Sequence, residues 1–166
     1  MDTVAQLTGR ALYEADEHAW IARQIDALRS GRLNDLDRDT LAEYLTEMTI
    51  RDRRELRSRF VVLLQHLLKV GMQRDRLTRS WVLTILTQQQ EISALLAGIP
   101  SMTTHAEALF EEAYSDAIGR AVVETRIPVG RFPPRSPWTM QEALAFVAPV
   151  PPTRSGKRGA GRGEEK

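Results

Sequence analysis

The sequence contains no cysteine and only three histidines among its 166 residues. Without cysteine the chain has neither disulfides nor thiolate metal ligands, which excludes disulfide-stapled scaffolds and cysteine-based zinc sites. No apolar run approaches the ~20 residues that a membrane span requires. The N-terminal residues lack a basic start followed by an apolar core, so we expect no secretion signal. These absences favour a cytoplasmic protein without a membrane segment.

One stretch in the middle of the chain is strongly apolar and has helical spacing. At about 100° per residue its large side chains form two adjacent stripes that cover roughly half of a helix. A stripe of that width is typical of a helix with two or more packed neighbours. The stripes consist of Leu56, Phe60, Leu63, Leu67 and Val70, with Val61, Leu64 and Leu68 beside them.

The residues before this stretch predict two further helical segments. The first runs from about Leu12 to Ser30 and ends at Gly31, a residue that adopts the left-handed stop conformation easily. Asp37 or Asp39 then caps the next helix. The apolar stripes of these segments are Leu12, Trp20, Ile21, Ile25 and Leu28 in the first, and Leu41, Leu45 and Met48 in the second. No Gly or Pro separates the second from the central stripe, so residues 38–70 form either one long helix or two nearly continuous ones.

The residues after it predict two or three more helices. One spans about Trp81 to Ala97, and Thr104 with Glu107 has the spacing of a capping box that opens the next. Four prolines between Thr125 and Trp138 indicate a non-helical crossing. Thr139 and Glu142 then form a second capping box for a short final helix.

These elements predict an all-α fold, namely a single-domain bundle of five or six helices around a central apolar helix at about residues 56–70. The Pro-rich crossing leads to the short C-terminal helix. We expect residues 1–10 to be a lead-in, residues 11–148 to be the domain, and residues 149–166 to be a disordered basic tail, because that tail has little to bury.

The formal net charge of +1 hides a segregation along the chain. Residues 1–50 carry five Lys/Arg against ten Asp/Glu, whereas residues 51–79 carry nine against three. The two blocks therefore have net charges of −5 and +6. They either complement each other or leave the basic block to face an acidic partner.

Several segments together resemble a known bacterial family. The similarity runs from Tyr13 to about Phe146. The match to the segments that contain HLLK, SW and PWT is fairly specific. The segments are YEADEHAW from Tyr13, LRSGRLNDLD from Leu28, LAEYL from Leu41, RRELRSRFVVLLQHLLK from Arg53, RSW from Arg79, ETRI from Glu124 and FPPRSPWT from Phe132. The family is domain of unknown function 29. The resemblance implies a compact all-helical bacterial protein and implies no activity.

Candidate catalytic residues are few. His66 lies at the border of the central apolar arc, and an unrecognised enzyme would use it as a general base together with Glu43 and Arg79. The alternative is a structural role, in which His66 lies at the border of the buried face and its ring forms a hydrogen bond with a neighbouring carbonyl or carboxylate. No histidine follows a glutamate by three residues, and no phosphate loop or nucleophile elbow is present. We therefore expect neither a metal site nor a cofactor. We also expect a protein without catalytic activity rather than an enzyme.

The basic block supplies a different kind of candidate. Its arginines flank the central apolar run on both sides and would neutralise phosphates of a nucleic acid in a salt-dependent manner. The block lacks a DNA-reading motif and interleaved aromatic residues. The arginines are Arg51, Arg53, Arg54, Arg57, Arg59, Arg74, Arg76 and Arg79.

The leading functional hypothesis is a non-enzymatic interaction or scaffolding module. It rests on the wide apolar helix, the opposite charge blocks and the lack of a catalytic constellation. Its partner is an unknown protein or a second copy in a homodimer. Nucleic-acid binding through residues 51–79 and a His66-centred enzyme are the alternatives.

Overall fold

The computed structural model describes residues 7–151, and within them it is all-α. Four short 3₁₀ turns connect the helices, and no residue of the described part lies in a strand. The six α-helices are α1 (Gly9–Ala15), α2 (Glu17–Arg29), α3 (Arg38–Met72), α4 (Arg79–Gly98), α5 (Thr103–Thr125) and α6 (Met140–Leu144). The predicted fold class and helix count are confirmed.

The chain forms two compact units, the first ending at Arg54 and the second beginning at Glu55. Each unit is described by itself. The predicted domain boundaries stay a prediction. Part of the predicted lead-in and almost all of the predicted tail, residues 149–166, lie outside the described residues.

The first unit contains two helices where the spacing predicts one from Leu12 to Ser30. The chain leaves the helical conformation at Asp16, which has a φ of −154°. Its Oδ1 accepts a hydrogen bond from the Ala19 N–H at 2.9 Å and so caps α2. The single-helix prediction was wrong because an aspartate inside a helical pattern also satisfies a free N–H at a new helix start. Gly31, with a φ of +69°, follows α2 as predicted.

The core of the first unit is aromatic. Trp20 is fully buried, and its ring packs edge-on against Tyr13 and Tyr44 at centroid distances of 5.1 and 5.6 Å. The Trp20 Nε1–H donates to Asp37 at 3.4 Å, and Asp37 also accepts from the Thr40 N–H at the start of α3. Asp37 is therefore the cap predicted for this helix, and it also binds the buried indole.

Helix α3 is one continuous helix of 35 residues. All eight residues of its two predicted central stripes are at most 5% exposed, so the predicted central helix is confirmed. They form the centre of the hydrophobic core of the second unit, which draws its other members from α4, α5, α6 and the connecting turns.

The other predicted apolar stripes are buried only in part. On α2 the buried residues are Trp20, Gln24 and Ala27, while Ile25 and Leu28 are exposed. On α3 Leu45 and Met48, predicted to continue the core stripe, are 54% and 45% exposed. Helical spacing predicts which residues share a face, but burial needs a second element over that face, and the described part of the chain supplies none here.

In the second unit, one predicted capping box is absent and the other is present. Thr104 lies inside α5, because the 3₁₀ turn Pro100–Met102 continues directly into the helix without a capping side chain. At α6 both bonds of the box between Thr139 and Glu142 form. The Pro-rich crossing is ordered, and the Tyr114 hydroxyl donates to the Pro133 carbonyl at 2.9 Å.

Candidate functional site

Three arginines of the basic block form ion pairs within their own unit. Arg57 bonds Asp116 at 2.8 Å and lies 3.9 Å from Glu112. Arg59 pairs with Glu55 at 2.7 Å and with Glu91 at 3.3 Å, and Arg51 lies 3.7 Å from Glu47. These contacts use guanidinium groups that the nucleic-acid hypothesis assigned to phosphates.

The other five arginines of the block are exposed and form no salt bridge with any residue between 7 and 151. Arg53 and Arg54 belong to the first unit, and Arg74, Arg76 and Arg79 to the second. The arginines of the block are therefore divided between the two units, and three of the eight are already paired with carboxylates. The net charge along the sequence reveals neither fact.

The three catalytic candidates also belong to different units. Glu43 is in the first unit and accepts a hydrogen bond from Arg10 at 3.0 Å. His66 and Arg79 are in the second, where Arg79 is the exposed first residue of α4. The second unit brings no carboxylate of this predicted triad to His66.

His66 has a defined bonding partner. Its Nδ1 lies 2.9 Å from the carbonyl oxygen of Val62, one turn earlier in α3. A carbonyl only accepts, so Nδ1 carries the hydrogen, and the lone pair of the neutral ring is on Nε2. Burial is the main cause that lowers the pKa of His66 below its ordinary value. The hydrogen bond to Val62 raises this pKa, the charge of Lys69 lowers it and that of Glu124 raises it, each by less than burial lowers it. This hydrogen bond to the Val62 carbonyl is the one expected if His66 is a structural residue at the border of the buried face.

An ion pair with one buried partner lies next to His66. The Lys69 Nζ donates to Glu124 Oε2, and the Gln65 amide donates to the other carboxylate oxygen at 2.5 Å. The same ammonium lies over the Trp81 ring, 4.2 Å from its centroid. Lys69, Glu124 and Trp81 therefore join the C-terminal ends of α3 and α5 to the start of α4.

The two charges of this pair differ in exposure. The Lys69 side chain is 5% exposed, whereas that of Glu124 is 46% exposed. The hydrogen bond from Lys69 is the main cause that lowers the pKa of Glu124. Both carboxylate oxygens and the ammonium have partners within the cluster, so this arrangement joins three helices.

Sequence reasoning missed this cluster. From the sequence alone, Lys69 and Glu124 were named only within segments of family resemblance. A signal was present, because Lys69 lies between Leu68 and Val70 in the apolar stretch of α3. A lysine in that position requires a partner for its charge. The partner is 55 residues away in sequence, and only the fold brings the two together.

Another feature is a fully solvated stretch of α3. Every residue from 45 to 51 is exposed, which amounts to almost two helical turns. Leu41, Leu45 and Met48 have the spacing i, i+4, i+7 and so share a face, and the first is half-buried while the other two are exposed. Isolated helical turns have little intrinsic stability, and helices usually gain it by packing an apolar face. This stretch presents such a face to solvent.

Residues 7–151 contain no cluster of three or more His, Asp or Glu side chains arranged to hold a metal ion. None of the helices in this described part is long and apolar enough to cross a membrane.

Comparison with known proteins identifies a family. A family model described as Domain of unknown function DUF29 matches residues 12–147. No curated protein and no solved structure shows a significant match. The matched range contains all of the resembling segments named above, from Tyr13 to Thr139. The chain belongs to the family Domain of unknown function DUF29.

Proposed function

We propose that this chain is a non-enzymatic interaction module that pairs with a second copy of itself through the solvated stretch of α3. The observation that carries the proposal is the exposed apolar face of Leu41, Leu45 and Met48 on a segment exposed over its whole circumference. Covering that face removes apolar surface from water and supports turns that have no other packing.

Charge favours a second copy as the partner. On α3, residues 38–44 carry two carboxylates against one guanidinium, and residues 51–54 carry three guanidinium groups against one carboxylate. In an antiparallel pair of α3 helices, the acidic part before Leu45 lies along the basic part after Met48 of the other copy, and two-fold symmetry repeats the match. The apolar area is small, so we expect a weak dimer, with a Kd of roughly 1–100 μM.

Sedimentation velocity over a wide concentration range tests this proposal. We expect wild type to shift toward dimer as concentration rises, and Leu45→Glu and Met48→Glu to abolish the shift. Leu83→Glu is the matched control, because Leu83 is a 62% exposed leucine on α4. A wild type that stays monomeric throughout, or an equal effect of Leu83→Glu, would overturn the proposal.

The alternatives stay predictions, as does the cytoplasmic location. The pairing of Arg51, Arg57 and Arg59 with carboxylates reduces the positive potential available to a nucleic acid. Arg53 and Arg54 remain available among the described side chains. Changing Arg53, Arg54 and Arg57 to alanine together removes any salt-dependent mobility shift of DNA or RNA if that alternative is right.

A further inference from the structure

A cleft of about 910 Å³ lies between α5 and the chain from Pro134 to Glu142, entirely within the second unit. Its α5 wall is one face of the helix over three turns, a length of about 16 Å at 1.5 Å per residue. Pockets for ligands typically have volumes of about 300–1,000 Å³, so the space suits several side chains of a peptide. The wall consists of Glu107, Phe110, Glu111, Tyr114, Ser115 and Ile118.

Aromatic side chains from both walls lie along the cleft. Phe110 is 3% exposed, and Trp138, which lines the other side, packs edge-on against Phe146. The bond from the Tyr114 hydroxyl to Pro133 ties the two walls together. Pro134 and Pro137 in the second wall have no N–H to offer, so a ligand is recognised by its side chains and not by strand pairing.

The rim of the cleft is acidic. Glu107 and Glu111 are like charges four residues apart on α5, which repel each other on a helix. Both are exposed, and neither forms a salt bridge with a residue of the described part. The next acidic residues along α5, Glu112 and Asp116, instead form ion pairs with Arg57. On α5, therefore, Glu112 and Asp116 pair with Arg57, whereas Glu107 and Glu111 line the cleft.

The opposite wall adds a third carboxylate. Glu142 accepts hydrogen bonds from the Thr139 N–H at 2.8 Å and from the Thr139 hydroxyl at 3.0 Å. These bonds lower the pKa of Glu142, so it is negatively charged at neutral pH. The lining residues therefore include three carboxylates and one guanidinium, that of Arg135.

We propose that this cleft binds a basic peptide segment of another protein. Apolar side chains of the peptide pack on Trp138 and Ile118, while its Arg or Lys side chains lie between Glu111 on one wall and Glu142 on the other. Charge complementarity relieves the repulsion along α5, and the half-buried apolar side chains supply apolar contact. This proposal does not depend on the self-pairing through α3. The variants that test self-pairing lie in the first unit, and those that test the cleft lie in the second.

Fluorescence anisotropy with the full chain tests the proposal. The probe is a short labelled peptide in which arginines alternate with proline and leucine, and its control carries citrulline, a neutral isostere, in place of each arginine. We expect the arginine peptide to bind and the citrulline peptide to bind much more weakly. Glu111→Gln weakens binding by about three- to fivefold, the effect of one exposed ion pair, and Glu107→Gln adds to it.

Glu112→Gln is the matched control, since it removes the same charge from α5 one residue away and outside the cleft lining. Equal weakening by Glu112→Gln, or equal affinity for both peptides, contradicts the proposal. The chain's own residues 152–166 contain basic side chains, so a second variant replaces Arg154, Lys157, Arg158 and Arg162 with serine. Unchanged affinity in that variant supports a separate partner. Tighter binding instead identifies the chain's own segment as a competitor and overturns the assignment.

Discussion

At the scale of single residues, the pair of Lys69 and Glu124 illustrates how unequal burial decides which partner matters more. Water reaches the carboxylate of Glu124 but scarcely reaches the ammonium of Lys69. Leaving a buried charge without a counterion is much more costly than leaving an exposed one. Removing the carboxylate and removing the ammonium should therefore lower the free energy of unfolding by different amounts.

We predict that Glu124→Ala destabilises the chain more than Lys69→Met. The first change leaves the buried ammonium without its carboxylate and costs about 2–3 kcal/mol. The second leaves a solvated carboxylate and fills the space beneath Trp81 with an apolar chain, at a cost below about 1 kcal/mol. Chemical denaturation of both variants and of the double variant measures the difference. Equal losses in the two single variants contradict this account.

Histidine 66 provides a pH prediction. Burial lowers its folded pKa below 6.5, so the unfolded chain binds more protons than the folded chain in that range. Stability is therefore unaffected by this group above pH 6.5 and falls as the pH decreases through the interval between the two pKa values. His66→Gln, which retains a donor for the Val62 carbonyl, removes this part of the pH dependence. Unfolding free energies from neutral to mildly acidic pH compare the two, and identical slopes would argue against it.

The sequence anticipates these residues only in part. The border position of His66 and its bond to a neighbouring carbonyl were foreseeable, because one turn of helix places that carbonyl within reach. The pairing of Lys69 with Glu124 was not, because no local rule selects a partner 55 residues away. Likewise, nothing local showed that Arg57 binds Asp116.

At the scale of the elements, α3 combines two environments in one helix. Its residues from 60 to 70 lie almost entirely in the core, whereas residues 45–51 are exposed on every side. The helix continues through both because residues 38–70 contain neither proline nor glycine, and the pairs Glu47–Arg51 and Glu55–Arg59 form as their spacing predicts. Continuity is thus a local property, while protection from solvent is not.

We predict that hydrogen exchange will divide α3. Amides between residues 45 and 54 exchange through local opening, because only isolated helical bonds must break there. Amides between residues 60 and 70 exchange only when the core of the second unit opens. Exchange measured residue by residue at neutral pH tests this, ideally at a low concentration at which any dimer dissociates. Uniform protection along the whole helix would contradict it.

At the scale of the whole chain, each unit has its own set of buried side chains. The large cluster contains residues from Leu56 to Ala143, all in the second unit. Trp20 with Tyr13 and Tyr44 makes a smaller aromatic core in the first. The hydrophobic periodicity of residues 12–48 resembled that of the central helix, yet much of its apolar surface is exposed.

We predict that Trp20→Ala affects the two units unequally. Removing a fully buried indole costs about 3–5 kcal/mol, which the small core of the first unit cannot absorb. Amides of α2 then lose protection, while those of the central core residues retain theirs. Hydrogen exchange of the variant measures both, and Phe60→Ala, which removes a ring from the second core, is the reciprocal control. Equal loss in both units after Trp20→Ala is the contrary result.

The sequence alone determined the helical class, the central buried helix, an aspartate cap for α3 at Asp37 or Asp39 and the capping box of α6, because each depends on residues within a few turns of one another. The tertiary structure decided which apolar faces are covered, which arginines are neutralised and where Lys69 finds its carboxylate. Those outcomes depend on contacts between residues far apart in the chain, where burial and charge pairing are properties of the folded arrangement and not of local spacing.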